Sequence, residues 1–298
     1  MAVNSAAADD TTANDATAND TAVNDTADGD PTAEAEQHRV GYTLDSAVAV
    51  IELWRPAAGN ALDITLRHGL LAALRRVRAD GDQVRAVLLT ARGRHFCVGQ
   101  DLKEHARVLE TDPASAFAIV REEYNPLVEA LHTLRQPVVA AVEGACVGAG
   151  LGLALCADLR VAAQNARFST AFTGIGLAAD SGLSGALART VGPSRAAALM
   201  LLGDRFDAEA AHQWGLVHRV VPDGAAAAEG LALARRLADG PTAAYAEVKA
   251  LLRDVDGANV TAVLDREAAA QERLGRTADH RGAVQAFLAG RRPVFEGR

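Results

Sequence analysis

The alternation of short apolar runs with helical stretches between residues 48 and 163 limits the possible folds more than any other feature of the sequence. The runs VAVIELWRP, VRAVLLTA and PVVAAVEG predict three buried strands. The segment LDITLRHGLLAALRRVRAD, which stops at Gly81, and a stretch from about Ala114 to Leu134 have apolar residues at helical spacing. Alternating strands and helices favour a parallel sheet with helices on its faces. The sequence therefore predicts an α/β fold.

The chain after Gly192 has a different character. It is rich in alanine, and segments such as TAVLDREAAAQERLG and ADHRGAVQAFLAG predict helices almost throughout. We therefore expect an α/β core at residues 39–220 and a helical C-terminal region at residues 221–298 that serves packing and oligomerisation.

Residues 1–38 differ from both of these parts. They contain nine acidic residues and no Leu, Ile, Phe, Tyr, Trp, Lys or Arg, and they include the rough repeat TANDATANDTAVNDT. Such a segment buries too little apolar surface to offset its conformational entropy, so the sequence predicts a disordered acidic tail. The tail lacks the basic start and the apolar run of a signal peptide.

Composition disfavours several classes of protein. All 30 Lys and Arg residues follow the tail, against 29 of the 38 acidic residues, so the remainder has a formal net charge of +1 and no basic run typical of nucleic-acid binding. No apolar run is long enough to cross a bilayer. Cys97, Cys146 and Cys156 lack metal-ligand spacing, which predicts buried, reduced thiols in a cytosolic protein without a metal site.

Two loops that contain glycine follow predicted strands, at Val98–Asp101 and at Gly148–Gly150. Glycine lets the backbone approach a ligand closely, and a turn that opens a helix presents unpaired amides to negative charge. Two such turns facing one carbonyl group would form an oxyanion hole. Both loops also fit ordinary strand–helix turns, and the pattern alone does not separate the two interpretations.

Two other kinds of site are disfavoured. The segment GAGLGLA imitates a dinucleotide-binding turn, but the acidic residue expected about 20 positions later is missing, because no carboxylate lies between Asp158 and Asp180. The segment GLSGA does not fit the serine nucleophile pattern G-x-S-x-G. These differences disfavour a dehydrogenase and a serine hydrolase.

Four motifs occur in the order and spacing of one known family: FCVGQDLKE, PVVAAVEGACVGAGLGLALCADLRVAA, ARFSTAFTGIGLAADSG and AAHQWGLVHRVV. From about Val40 to Arg298 the chain resembles the crotonases, the enoyl-CoA hydratases and isomerases. Within that family it is most similar to the phenylacetate-pathway branch, the ring-1,2-epoxyphenylacetyl-CoA isomerases. The shared features are GQDL, YNPLV, AFTGIGL leading to DSG, and the ending GRTADHRGAVQAFLAGRRPVFEG.

The resemblance implies a ClpP/crotonase-like core of repeated β-β-α units, assembled as trimers or pairs of trimers. It implies an acyl-CoA thioester substrate, with coenzyme A as part of that substrate and no separate cofactor. By motif match, the amides of Gln100 and Ala149 hold the thioester carbonyl. Lys249 matches a basic residue that approaches the nucleotide phosphates, of the same or of a neighbouring subunit, or else it is a solvated helix charge. The other residues expected at the substrate are Gly59, Asn60, Ala61, Val98, Gly99, Asp101, Leu102, Gly148 and Phe172.

The resemblance also bears on the reaction. Hydratases of the family carry two catalytic glutamates, and the matching positions here are Gly152 and Phe172. Neither side chain can move a proton, which disfavours classical hydration. Asp180 matches an aspartate of the phenylacetate branch, and one carboxylate is enough for an isomerase. In an apolar pocket near Phe172 we expect the pKa of Asp180 to be raised.

Asp180 also fits an N-cap for the following segment LSGALART. Glu122 and Glu123 fit either an acyl pocket or a solvated helix face, and Asp101 and Glu143 fit local turn formers as well as site residues. Three functions therefore stay open: an acyl-CoA isomerase, which we favour, an enoyl-CoA hydratase in fatty-acid or aromatic-acid degradation, and a non-catalytic binding protein of the same fold.

Overall fold

The computed structural model of the protein describes residues 39–113, 115–253 and 258–298. The predicted acidic tail at residues 1–38 lies outside the described residues, and so does Ala114, where the second predicted helix starts. The described strands are β1 (Val40–Asp45), β2 (Val48–Leu53), β3 (Ala86–Ala91), β4 (Val138–Val142), β5 (Ala145–Val147), β6 (Leu159–Ala163), β7 (Arg167–Ser169), β8 (Phe206–Asp207) and β9 (Arg219–Val221). The described helices are α1 (Ile64–Ala79), α2 (Leu102–Thr111), α3 (Asn125–His132), α4 (Ala149–Cys156), α5 (Leu183–Val191), α6 (Pro193–Leu202), α7 (Ala208–Gln213), α8 (Ala226–Ala238), α9 (Thr242–Arg253), α10 (Val260–Leu274) and α11 (Ala278–Leu288).

The main sheet has six strands in the order β1-β2-β3-β4-β6-β9. Strands β2, β3, β4, β6 and β9 run parallel, as the alternation of strands and helices predicts. The edge strand β1 is antiparallel to β2, with Val40 opposite Leu53. The prediction of a parallel sheet is therefore wrong at this edge, and β9 is a further strand inside a region that was expected to be almost wholly helical.

Alternation along the central strands gives the sheet two apolar faces. In β3, Val87 and Leu89 belong to the larger buried cluster with α1, α3 and α4, whereas Ala86 and Leu88 belong to a second cluster under α8. Successive side chains of a strand point to opposite faces, so a continuous apolar run fits a strand covered on both sides. This explains why the run VRAVLLTA has no polar alternation.

Helix α8 packs on the second face of the sheet, and a glycine lets it come close. A Cβ atom at Gly230 would lie 2.9 Å from Leu88 Cδ1 and 3.0 Å from Ala141 Cβ, so the helix backbone lies close to the sheet. This helix and β9 place the residues after 220 against the α/β core. The boundary expected between residues 220 and 221 therefore falls inside β9 and ahead of a helix that packs on the sheet.

A smaller sheet has the order β5-β7-β8 and lies next to the carboxyl ends of the main strands. It produces successive β-β-α units: β4, β5 and α4 form one, and β6, β7 and α5 form the next. In the unit that begins with β3, Cys97 takes the place of the second strand by bridging to Cys146 of β5. The repeated unit thereby brings the loops before α2, α4 and α5 to one side of the molecule.

The second predicted helix, from about Ala114 to Leu134, is shorter than expected. The structure has a π-helical turn at Val120–Tyr124, followed by α3. A π-helical turn shifts the register of the side chains after it, and such turns are frequent at functional sites. Here the turn places Tyr124 fully inside the core.

The C-terminal helices are tied to the core at the chain end. Arg85, next to β3, donates to the carbonyl oxygens of Gly240 and Phe295 at 2.7 and 3.0 Å. The carboxylate of Asp279 accepts from the amides of Glu296 and Gly297. Within the described ranges, every helix is too short or too polar to span a membrane.

Candidate active site

The loop between β3 and α2 is held by backbone pairing with the segment 59–62. Val98 donates to the Gly59 carbonyl at 3.1 Å, and Leu62 donates to the Gly99 carbonyl at 2.8 Å. Gly99 has φ +89°, and a Cβ atom there would lie 3.0 Å from the Val147 carbonyl oxygen. Glycine is therefore needed at residue 99 for its backbone conformation and for its close approach to the second loop.

The segment Gly59–Ala61 positions this loop and does not line the cavity described below, so its place at the coenzyme A part of the substrate stays a prediction. Asn60 is fully buried, and its side-chain amide donates to the carbonyl oxygens of Arg92 and His95 at 3.0 and 2.7 Å. Its side-chain oxygen accepts from the Arg55 amide. Because all these partners are protein groups, Asn60 holds the loop in place.

Asp101 is also structural, although it was predicted at the substrate. Its Oδ1 accepts from the amides of Lys103 and Glu104, so it is the N-cap of α2. Its Oδ2 lies 2.6 Å from Arg55 Nη1. Burial raises the pKa of Asp101, but the two amides and the Arg55 guanidinium outweigh burial and lower the pKa overall.

The second loop enters α4 at Gly148, which has φ +57°. Gly148 donates to the Ser169 carbonyl at 3.0 Å, which fixes the turn on β7. Two residues later, a Cβ atom at Gly150 would lie 2.5 Å from the Cys97 carbonyl oxygen. The glycines therefore let the first turn of α4 press against the first loop.

The two loops bring the amides of Gln100 and Ala149 to one cavity. The Ala149 nitrogen is 3.6 Å from the position that a Cβ atom of Gly99 would occupy. In the described part of the chain neither amide donates a hydrogen bond to another protein group. Ala149 also begins a helix, where amides are unpaired and the helix dipole favours negative charge.

The cavity between the loops has a volume of about 110 Å³. Eight of the predicted site residues line it: Val98, Gly99, Gln100, Leu102, Gly148, Ala149, Phe172 and Asp180. Sequence reasoning missed Val147, Thr170, Ala171, Ile175 and Leu177, which also line it. Most of these missed residues lie on either side of Phe172 in the third motif, and that adjacency was the one signal that could have found them.

Asp180 is the one carboxylate among the lining residues of this cavity. Burial raises the pKa of Asp180, while hydrogen bonds from the Ser181 hydroxyl and from its own amide lower it; the net direction is upward, which confirms the predicted direction. The interpretation as a helix cap is wrong. Helix α5 has Gly182 as its N-cap, with no side chain donating or accepting there.

The positions that correspond to hydratase glutamates hold no carboxylate and leave little room for one. Phe172 fills one position as an aromatic wall of the cavity. At the other, a Cβ atom on Gly152 would lie 2.8 Å from the Ser181 carbonyl oxygen and 2.9 Å from Ser181 Cβ. The turn that carries Asp180 therefore packs directly on α4, in the space that a side chain at residue 152 would need.

A larger crevice of about 610 Å³ lies on the other side of Gln100, between α2 and the π-helical turn. Glu122 and Glu123 line this crevice and not the cavity with Asp180. Glu123 accepts from buried Arg67 at 2.7 Å, and Arg67 also pairs with Glu104 at 2.8 Å. Arg67 therefore holds Glu104 and Glu123 in an ion-pair cluster beside the site.

Tyr124 lies behind this cluster. Its side chain is fully buried, and its hydroxyl makes no hydrogen bond of normal geometry within the described residues. The Arg67 guanidinium carbon is 5.5 Å from the centre of its ring. Burial raises the pKa of Tyr124; the Arg67 guanidinium offsets part of this increase and the Asp180 carboxylate adds to it, so the phenol is neutral.

Lys249 lies in a buried ion pair. Its ammonium group is buried, lies 2.6 Å from Asp158 Oδ2 and donates to the Gln136 carbonyl at 2.6 Å. Lys249 does not line the cavity with Asp180, and its match to a residue at the nucleotide phosphates stays a prediction. The alternative of a solvated charge is wrong, because the side chain is buried. The ion pair instead links α9 to the main sheet at β6.

The remaining ionisable residues have local roles. Glu143 accepts from the Ala226 amide at 3.1 Å and so holds the start of α8. Burial raises the pKa of the Cys97 and Cys156 thiols to about 12, which makes them poor nucleophiles. Across residues 39–113, 115–253 and 258–298, no group of three or more His, Cys, Asp or Glu side chains could hold a metal ion.

Known proteins have sequences and architectures similar to those of this chain. The family described as enoyl-CoA hydratase/isomerase matches residues 43–298. A protein of Rhodobacter capsulatus named "Probable enoyl-CoA hydratase" is 43% identical over 261 residues, which are 88% of this chain and 99% of that protein. The 1,2-epoxyphenylacetyl-CoA isomerase of Escherichia coli is 40% identical over 256 residues, which are 86% of this chain and 97% of that protein.

A crystal structure from Mycobacterium abscessus, named for an enoyl-CoA hydratase/isomerase, superposes with a TM-score of 0.84. It is 57% identical and covers 87% of this chain and 100% of its own. The predicted crotonase-like α/β core with a helical C-terminal region is therefore confirmed. The chain belongs to the enoyl-CoA hydratase/isomerase family, the crotonases.

Proposed function

We propose that the protein is an acyl-CoA isomerase that transfers a proton within a bound thioester, either a 3-enoyl-CoA or an epoxyphenylacetyl-CoA. One observation carries the proposal. A single carboxylate, Asp180, shares a cavity with the unpaired amides of Gln100 and Ala149, while Gly152 and Phe172 supply no second acid.

On a 3-enoyl thioester the Asp180 carboxylate accepts a proton from C2, and the electrons of that C–H bond form the C1–C2 double bond of a dienolate that keeps its C3–C4 double bond. The charge moves to the thioester oxygen, where the amides of Gln100 and Ala149 donate to it. Protonated Asp180 then returns the proton to C4, the carbonyl re-forms and the C1–C2 electrons become the C2–C3 double bond. The double bond has moved by one carbon, no atom has been gained or lost, and the reaction needs no redox cofactor or metal ion.

The raised pKa of Asp180 supports this role. A base must take a proton in one step and release it in the next, and a pKa closer to the working pH serves both steps. The half-buried position accounts for the shift, because desolvation disfavours the charged form.

A hydratase is the second candidate, supported by the name of the Rhodobacter capsulatus relative. Hydration across a 2-enoyl thioester is eased by one carboxylate that activates water and another that delivers a proton. The packing of Gly152 against Ser181 opposes that arrangement. A non-catalytic binding protein is the third candidate, and it loses its main support because Asp180 does not cap a helix.

A substrate panel tests the proposal. The purified protein is assayed with 3-enoyl-CoA, epoxyphenylacetyl-CoA and 2-enoyl-CoA thioesters, with Asp180→Asn as the matched control. We expect isomerisation of one of the first two substrates, lost in the control. Faster hydration of the 2-enoyl thioester would support the hydratase instead, and binding without turnover of all three would support the third candidate.

We further propose a homotrimer or a pair of trimers in the cytoplasm. Large apolar side chains are exposed along the C-terminal helices, where another protomer could cover them; Val260 is 73% exposed, Phe287 82% and Leu288 80%. Cys97 and Cys146 are fully buried, as expected for the reduced thiols of a cytosolic protein.

A further inference from the structure

We propose that Ser181 is a positioning residue for the reaction, whose hydroxyl orients the Asp180 carboxylate and keeps it ionised. The inference rests on the proposed role of Asp180 as the acid/base. Ser181 Oγ donates to Asp180 Oδ1 at 2.8 Å. The Ser181 side chain is buried, so water does not compete for this bond as it would at the surface.

The backbone at Ser181 indicates that the serine is there for its side chain. Ser181 has φ +53°, in the left-handed region that costs a residue with a Cβ atom free energy and suits glycine. The next residue, Gly182, has φ +69° and meets the same requirement without that cost. Strain of this kind persists where the surrounding structure enforces it, and it concentrates at functional sites.

The surroundings of Ser181 enforce its conformation. Its carbonyl oxygen and Cβ atom contact α4 at Gly152, where a Cβ atom would come within 2.8 and 2.9 Å of them. The following turn is closed by the bond from the Leu183 amide to the Asp180 carbonyl at 3.0 Å. Helix α4 and the turn closed by Leu183 therefore fix the backbone of Ser181, which keeps its hydroxyl next to the Asp180 carboxylate.

The electrostatic surroundings leave this hydrogen bond as the main polar contact of the carboxylate. The bond from Ser181 and the one from the Asp180 amide favour the charged form of Asp180, whereas burial disfavours it. Tyr124, from the π-helical turn, is the titratable group whose interaction with Asp180 the structure shows, and it is neutral. Ser181 therefore offsets desolvation without bringing a fixed positive charge into an apolar cavity.

The chain contains a matched pair for the test. Ser46, in the hairpin between β1 and β2, also follows an aspartate, has φ +56° and directs its hydroxyl to Asp45 Oδ1 at 3.5 Å, but it is exposed and lies outside the cavity. The variants are Ser181→Ala and Ser181→Gly, with Ser46→Ala and Ser46→Gly as controls. The glycine variants keep the test usable, because glycine adopts the left-handed conformation without strain.

The readout is the titration of the Asp180 carboxyl group by difference infrared spectroscopy, assigned by its loss in Asp180→Asn. We expect both Ser181 variants to raise its midpoint by about one pH unit, the size of one hydrogen bond to a charged group, and both Ser46 variants to leave it unchanged. The acid limb of the pH profile of isomerase kcat/KM should shift upward by the same amount.

An unchanged carboxyl titration in both Ser181 variants would overturn the inference. This outcome is separable from failure of the proposed function. If Asp180→Asn keeps full turnover, Asp180 is not the acid/base and the proposed mechanism is wrong, whereas the infrared titration still shows whether Ser181 sets the proton affinity of Asp180.

Discussion

Two aspartates stand next to the same pair of loops, and their environments shift their pKa values in opposite directions. Asp101 directly follows the Gln100 amide, and two backbone amides and Arg55 hold its pKa below the usual range. Asp180 lines the cavity itself, and burial raises its pKa. Groups whose environments separate their pKa values in this way take different roles. The carboxylate paired with Arg55 builds the site, and the one that accepts from a neighbouring hydroxyl and its own amide carries the proposed proton transfer.

The contrast between the two aspartates disappears if turnover does not need Asp180. We expect Asp180→Asn to lower isomerase kcat by about 10²- to 10⁴-fold, the usual contribution of a general acid/base. Because the folded-state pKa is raised, the ionised carboxylate is less stable in the folded protein than in the unfolded chain at neutral pH. The variant should therefore keep or slightly raise the melting temperature.

The same pKa fixes the pH dependence of activity. As the pH falls through the raised folded-state pKa of Asp180, the base becomes protonated, so kcat/KM should fall tenfold per unit on the acid side. Folding stability should change in the opposite sense over that window, because the folded state binds the proton more tightly. A pH profile with no acid limb assigned to Asp180 would contradict both statements.

The contact between α4 and the turn carrying Asp180 gives the next largest effect. Gly152→Ala adds a Cβ atom within 2.8 Å of the Ser181 carbonyl, so the turn or the helix must move. We expect a loss of about 1–3 kcal/mol in the free energy of unfolding and about a hundredfold loss in kcat, because misplacement of a base is costly. Gly282→Ala is the control, since its added atom meets nothing within 4 Å. Equal behaviour of the two variants would remove the steric argument.

Asp101 should respond as a structural residue. Asp101→Ala removes the N-cap of α2 and the pair with Arg55, so we expect about 1–2 kcal/mol less stability and less than a tenfold change in kcat. Because its folded-state pKa is lowered, this stabilisation is present at neutral pH and is lost as the pH falls through that pKa. Asp63→Ala, which removes the N-cap of α1, is the matched control in chemical denaturation. A hundredfold loss of kcat in Asp101→Ala alone would make the two aspartates alike.

The smallest effect is expected from removal of the Tyr124 hydroxyl. Because Tyr124 makes no hydrogen bond of normal geometry in the described residues, Tyr124→Phe should leave the free energy of unfolding unchanged or raise it by up to about 1 kcal/mol. Tyr42→Phe removes a 2.6 Å bond to Asp80 and should cost about 1 kcal/mol. Denaturation of both variants measures the difference, and a larger loss in Tyr124→Phe would show that its hydroxyl has a structural partner.

The sequence located the two loops and the acid because each depends on local chemistry. Gly99 and Gly148 are required by positive φ values and close approach, and such positions leave a readable pattern. Asp180 stood alone between apolar residues, so its burial and the direction of its pKa shift could be predicted. The parallel part of the sheet followed from alternation over long segments.

The sequence did not reveal contacts between distant segments. Lys249 and Asp158 are 91 positions apart and pair only because α9 packs beside β6. Asn60 resembles a ligand-binding residue in its motif, yet its donors and acceptor are used by neighbouring loops. Strand β9 has three residues, and β1 has the mixed sequence VGYTLD, so their pairing depends on the sheet they join.

The contact at Gly152 has a consequence for how activities can diverge on this scaffold. A glutamate at residue 152 would occupy the volume that the backbone at Ser181 fills now. One protein therefore cannot combine the glutamate of the hydratases with the present position of Asp180. Exchange between them requires a change of backbone path as well as a change of side chain. A library that randomises residues 152 and 172 alone should therefore yield unstable or inactive variants. A library that also varies the length of the 178–183 turn should yield folded variants with a carboxylate at residue 152.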